Sequence, residues 1–225
     1  MARLRLNSLT LWNDIPPINA DQVIAYAHSR GIQVILGFPW GWGMDYDLSD
    51  PADRQRIEEE VLEHYRDKIA SLGADGIYFQ TLTEHTTTEM GGRSVAAITC
   101  EMVNQVAARL YEAAPALNIQ FGLHATSIQD HFGDLKDLDP RVSIIWEDVG
   151  ALPYTYIPKL EGWGRSFAKT IQYSSELAAL RPGAPFGLVP KGWTNLDWPD
   201  EFEHHPQYLL GARAPGAIRR RAEQI

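Results

Sequence analysis

Three acid–base side chains close three strand-like segments, each on the polar parity of its segment. In 77–84 (IYFQTLTE), Ile77 and Phe79 alternate with Tyr78, Gln80 and finally Glu84. In 119–126 (IQFGLHAT), Ile119, Phe121 and Leu123 alternate with Gln120, Gly122 and His124. In 142–148 (VSIIWED), Val142, Ile144 and Trp146 alternate with Ser143, Ile145 and Glu147. Successive strand side chains point to opposite faces, so each polar set shares one face. On parallel neighbouring strands this spacing predicts two carboxylates and an imidazole at one rim of a sheet. Such a pair suits cleavage of a glycosidic bond, where one carboxyl protonates the leaving oxygen and the other is a nucleophile or a base activating water. Glu84 is the expected acid, with Gln80 and His85 placed to orient it and hold substrate hydroxyls. Parity makes Glu147 the expected partner. Asp148, on the loop where the chain leaves the strand, is the alternative.

Seven tryptophans are the compositional outlier. A flat indole presents an apolar face to a sugar ring, and concave sites mix aromatic walls with a few placed polar groups. On that basis Trp12, Trp40, Trp42, Trp146 and Trp193 are expected to contact substrate, with Trp198 beside them in the segment KGWTNLDW. Core packing is the plainer role for part of this set. His124 would steady a carboxylate or touch substrate, where a lone histidine is more often a satisfied core residue. Lys191 shares the inward parity of Gly187 and Val189 and could neutralise an acidic group, against the equal prospect of a solvated lysine.

The elements that must position these residues alternate strand and helix. Strands are expected at 8–12, 32–38, 77–84, 119–125 and 142–148, with 167–173 and 186–193 as further strands, the latter interrupted by Pro190. Helices are expected at 20–30, from Pro51 (capped by Asp50) to a stop at Gly73, and at 94–114 from Ser94. Alternating strands and helices imply a parallel sheet. A polar inner parity, with no glycine-rich phosphate turn, fits a closed barrel better than an open doubly wound sheet. The fold class is therefore α/β, a parallel (β/α)8 TIM-type barrel. Such barrels run to about 250 residues, and the opening MARLRLN reads as the tail of a helix, so a first strand and helix are expected to be missing. One domain over 1–225 is expected.

Composition narrows the partners. A formal charge of −9 on 225 residues argues against a nucleic-acid surface. The basic run Arg219–Arg221 reads as a tail. No stretch has the roughly 18 apolar residues needed to span a bilayer, and no secretion signal opens the chain, so a cytoplasmic location is expected. A single cysteine, Cys100, leaves no disulfide framework. There is no HExxH pattern, and His204–His205 lacks a companion at ligand spacing, so neither zinc nor any other cofactor is expected.

The stretch GADGIYFQTLTEH (73–85), with HSRGIQVILGFPWGWG (28–43) and VSIIWEDVG (142–150), resembles the barrel of carbohydrate-active enzymes. The nearest group is the α-glucuronidase and β-hexosaminidase type of glycoside hydrolase. The resemblance spans roughly residues 8–150 and is one of pattern. It implies an acid residue at the fourth strand, at Glu84, and a partner on a later strand, at Glu147 or Asp148. Only Thr83-Glu84 ends the 77–84 segment, where the hexosaminidase pattern has an adjacent Asp-Glu pair, which argues against a substrate-assisted acetamido mechanism. Two other readings use the same residues. A metal-dependent sugar isomerase or epimerase would hold Mn²⁺ or Mg²⁺ with Glu84, Glu147, Asp148 and His124. A non-catalytic carbohydrate-binding barrel fragment would keep the aromatics without turnover.

Overall fold

The computed structural model describes residues 1–12, 16–41, 46–155, 164–165 and 167–190. Among the described residues, six strands form one sheet: β1 (Ser8–Trp12), β2 (Gln33–Gly37), β3 (Gly76–Gln80), β4 (Asn118–Leu123), β5 (Ser143–Val149) and β6 (Phe186–Pro190). All neighbours are parallel, and their order in the sheet is their order in the chain. Crossovers between parallel strands are right-handed, so a sheet that never reverses its order puts every crossover on the same face. A doubly wound sheet must reverse direction to cover both faces. The result is a curled half-barrel of six parallel strands.

The helices follow local chemistry. α1 (Ala20–His28) buries Ala20, Ile24 and Ala27. α2 (Pro51–His64) starts with Pro51 behind Asp50, whose carboxylate accepts the Ala52 amide at 2.8 Å. It runs on through a wider turn (Tyr65–Ile69) and a tight one (Ala70–Leu72) to Gly73, whose φ of +79° suits a residue without Cβ. A short hairpin, Glu89–Met90 with Arg93–Ser94, leads into α3 (Val95–Ala113). Ser94 caps it through the Ala97 amide at 3.0 Å. α4 (Phe167–Ala179) corrects the strand expected at 167–173. Its buried residues Thr170, Tyr173, Ser174 and Leu177 repeat at helical spacing, which seven residues of alternation could not reveal.

The expected parity holds on the core side. Val34, Leu36, Ile77, Phe79, Ile119, Phe121, Ile144 and Trp146 belong to the apolar core under the helices, and Leu9 and Leu11 pack against it. On the opposite face one tier runs Trp12, Gly37, Tyr78, Gln120 and Ser143 across β1 to β5. The next runs Gln80, Gly122, Ile145 and Gly187. Each glycine in these tiers is a notch taken by a larger neighbour. A Cβ on Gly37 would come within 2.5 Å of the Trp12 ring, and one on Gly187 within 2.8 Å of Ile145. One on Gly122 would meet Tyr78 Oη at 2.1 Å.

Asp75 ties the opposite end of the sheet. Its Oδ2 accepts the Val34 amide at 2.7 Å and contacts His28 Nε2 at 2.8 Å, and its backbone C=O accepts the Asn118 amide. Among the described residues no helix is long and apolar enough to cross a membrane.

Candidate active site

Glu84 reaches the rim by a route other than strand parity. β3 ends at Gln80, and a tight turn (Leu82–Glu84) follows, so the expected strand to residue 84 is corrected by four residues. This turn is fastened to the segment after β4. The His124 amide donates to Thr83 Oγ1 at 3.1 Å, and the Ser127 amide donates to the Thr83 C=O at 3.0 Å. Ser127 Oγ also donates to the His85 C=O. Thr83 and Ser127 are both fully buried, so these bonds form away from competing water. Neither residue stood out in the sequence, because a threonine and a serine in a loop carry no periodic signal.

His124 sits one residue past β4 and is only 3% exposed. Its Nδ1 lies 3.2 Å from Asp148 Oδ1, and Asp148 Oδ2 accepts the Ala125 amide at 2.8 Å. A carboxylate on Nδ1 selects the tautomer with its proton there. Asp148 was expected on a loop; it lies within β5 and is buried. The other ring nitrogen, Nε2, is 3.3 Å from Glu84 Oε1 and 4.0 Å from Glu147 Oε2. Neither contact has hydrogen-bond direction, so Nε2 rests between two carboxyl groups without an aligned partner. A proton on Nε2 or on either carboxyl turns that crowding into attraction. Because both glutamate oxygens lie on one nitrogen, their separation cannot exceed the two contacts combined.

The two glutamates occupy different surroundings. Glu84 has 38% of its side chain exposed and Glu147 only 11%. Glu147 Oε1 accepts the Gln80 side-chain amide at 2.7 Å. The amide N–H of Gln80 donates to this oxygen and fixes the orientation of the carboxyl group. One acidic group is thus fixed by an amide, while the other faces solvent.

The aromatic candidates divide. Trp12 is 41% exposed and stands on the inner face of β1, with its ring edge-to-face with Tyr78 at 5.4 Å. Trp40, expected at the substrate, is fully buried and stacks on Phe79 at 3.6 Å, which stacks in turn on Phe121. Trp146, also expected at the substrate, is 1% exposed and lies 5.4 Å from Tyr173 of α4. Both rings serve the core, as their parity or stacking partners require, and offer no face to a ligand. The His85 side chain is exposed next to Glu84. Trp42, Lys191, Trp193 and Trp198 lie outside the described residues. Among the described residues no three His, Cys, Asp or Glu side chains are arranged to hold a metal ion.

No protein-family model and no curated protein matches this chain. Solved structures similar to it include a cycloisomaltooligosaccharide glucanotransferase of Paenibacillus sp., at 11% identity and a TM-score of 0.49 over 76% of this chain and 28% of that one. The glycoside hydrolase domain of PelA from Pseudomonas aeruginosa aligns at 14% identity and a TM-score of 0.43, over 96% of this chain and 91% of the other. The D-psicose 3-epimerase of Clostridium cellulolyticum aligns at 15% identity and a TM-score of 0.46, over 99% and 90%. The chain spans 28% of the glucanotransferase and 45% of dispersin B, another structure similar to it. At these identities and scores the likenesses say nothing about activity.

Proposed function

We propose that this protein cleaves glycosidic bonds, with Glu84 as proton donor and Glu147 as nucleophile or water-activating base. The observation that carries this reading is the convergence of two unlike carboxyl groups on one buried imidazole. Glu84, open to solvent beside His124, can exchange its proton with the leaving oxygen and then with water. Glu147, pinned by Gln80, presents a fixed oxygen to the sugar carbon or to a water. His124 lies between them and can take up a proton from either, while Asp148 holds its ring. In this role Asp148 is a positioning residue, leaving Glu147 as the partner carboxylate. Trp12 supplies an exposed apolar ring on the same face, suited to stacking on a pyranose.

The six strands are read here as part of a (β/α)8 barrel in a single domain over 1–225. Barrel active sites lie at the C-terminal ends of the strands, which is where His124 and Glu147 stand. The test is a panel of 4-nitrophenyl glycosides and soluble polysaccharides, assayed for released nitrophenol or new reducing ends. The reading expects turnover of at least one member by the full chain. Chelator-sensitive sugar isomerisation without any cleavage would replace it with the isomerase reading.

A further inference from the structure

Gly122 lies on the inner face of β4, between β3 and β5. The space a side chain would fill there is already taken from both sides. A Cβ on Gly122 would stand 2.1 Å from Tyr78 Oη and 2.8 Å from Glu147 Oε1. The phenol of β3 and the carboxylate of β5 therefore meet over one glycine, close enough for a single ligand oxygen to hydrogen-bond to both. Tyr78 is 7% exposed, and its ring is held by the edge-to-face contact with Trp12. Its hydroxyl makes no hydrogen bond among the described residues, yet it is not sealed from solvent. A phenol O–H placed in a polar site usually finds a partner. Here the surrounding side chains offer a fixed ring, an open O–H and a neighbouring carboxylate.

We infer that Tyr78 is a further catalytic residue, whose hydroxyl binds the substrate oxygen lying against Glu147, where the two groups meet over Gly122. This rests on the glycosidase reading and adds to it the group that grips the sugar beside the nucleophile or base. Removing the Tyr78 oxygen should leave the fold unharmed, because the oxygen makes no hydrogen bond among the described residues, but should weaken the bound state.

The experiment compares the full-length protein with Tyr78→Phe and Gly122→Ala, using the 4-nitrophenyl glycoside that the wild type turns over best. For Tyr78→Phe the expected result is an unchanged melting temperature with kcat/KM lower by roughly tenfold, the loss of one hydrogen bond to a bound ligand. For Gly122→Ala, a crystal structure should show Tyr78 or Glu147 displaced from the notch, and turnover should fall further than in Tyr78→Phe. A Tyr78→Phe protein with full kcat/KM overturns the inference and leaves the glycosidase reading standing. A lower melting temperature with full turnover in the same variant also overturns it, by making the hydroxyl structural. A wild type that cleaves nothing in the panel removes both.

Discussion

Asp148 accepts the Ala125 amide and faces His124 Nδ1, while Glu147, one residue earlier, takes the Gln80 amide. Adjacent positions on a strand point to opposite faces, and these two carboxylates meet different nitrogens of one imidazole, Asp148 at Nδ1 (3.2 Å) and Glu147 at Nε2 (4.0 Å). Asp148 fixes which imidazole nitrogen carries the proton. In Asp148→Asn the amide oxygen can still accept from Ala125, which turns the NH2 group toward Nδ1. The neutral ring should then carry its proton on Nε2. Nitrogen-15 NMR of labelled histidine should report this tautomer switch, together with a loss of about 1–3 kcal/mol from the disturbed buried bonds. An unchanged tautomer would remove Asp148 from the positioning role. The sequence made both carboxylates visible, but the choice between them depended on where β5 ends, and a strand boundary is poorly marked by composition alone.

At the scale of elements, the site is a set of strand ends plus one fastened turn. Glu84 continues the alternation of 77–84 in the sequence, but Thr81 breaks from β3 and the next three residues turn tightly. Its arrival at His124 depends on Thr83 and Ser127 binding the turn to the segment after β4. Ser127→Ala removes the hydroxyl that donates to the His85 C=O while sparing the Ser127 amide bond. Amide hydrogen exchange in residues 82–85 should accelerate by about tenfold, matching roughly 1–2 kcal/mol of lost local stability, with Ser127→Thr restoring part of it. Unchanged exchange would mean that the turn holds itself. Hydrogen bonds between two loops far apart in the chain leave no periodic trace, which is why this fastening was not legible beforehand. The cap at Asp50 and the helix start near Ser94 are legible, because a helix start is a local event. α4 was missed for the opposite reason, since 167–173 alternates well enough to pass for a strand until Leu177 is counted.

For the whole molecule, the order of strands in the sheet is the feature that the sequence conveyed best. Alternating elements with a polar inner parity imply parallel strands added in chain order, and the described residues hold six such strands. What the pattern could not convey is the cross-strand leaning of Trp12, Tyr78 and Ile145 into glycine notches, because it depends on register between strands. Acid stability is a property of this scale as well. Burial by itself would raise the Asp75 carboxyl, but the Val34 amide and His28 outweigh it and hold the carboxyl below its ordinary value of 3.8. A carboxyl depressed in the folded state stabilises the fold above its unfolded value, and that contribution disappears as pH falls through the folded one. Denaturant unfolding should therefore show wild type above Asp75→Asn at pH 7, with the gap closing below about pH 4. A gap that persists unchanged at pH 2.5 would mean the asparagine is disturbing packing instead.

The pairing of Glu84 with Glu147 is tested most directly by the turnover number of Glu84→Gln, measured on the glycoside that the wild type cleaves best. The amide keeps the shape and exposure of the side chain but has no acidic proton to give. We expect a melting temperature close to wild type and kcat lower by roughly 10²–10⁴-fold, the usual share of a positioned general acid. Glu147→Gln in the same assay should be similarly impaired. A folded Glu84→Gln protein that keeps wild-type kcat would contradict the account.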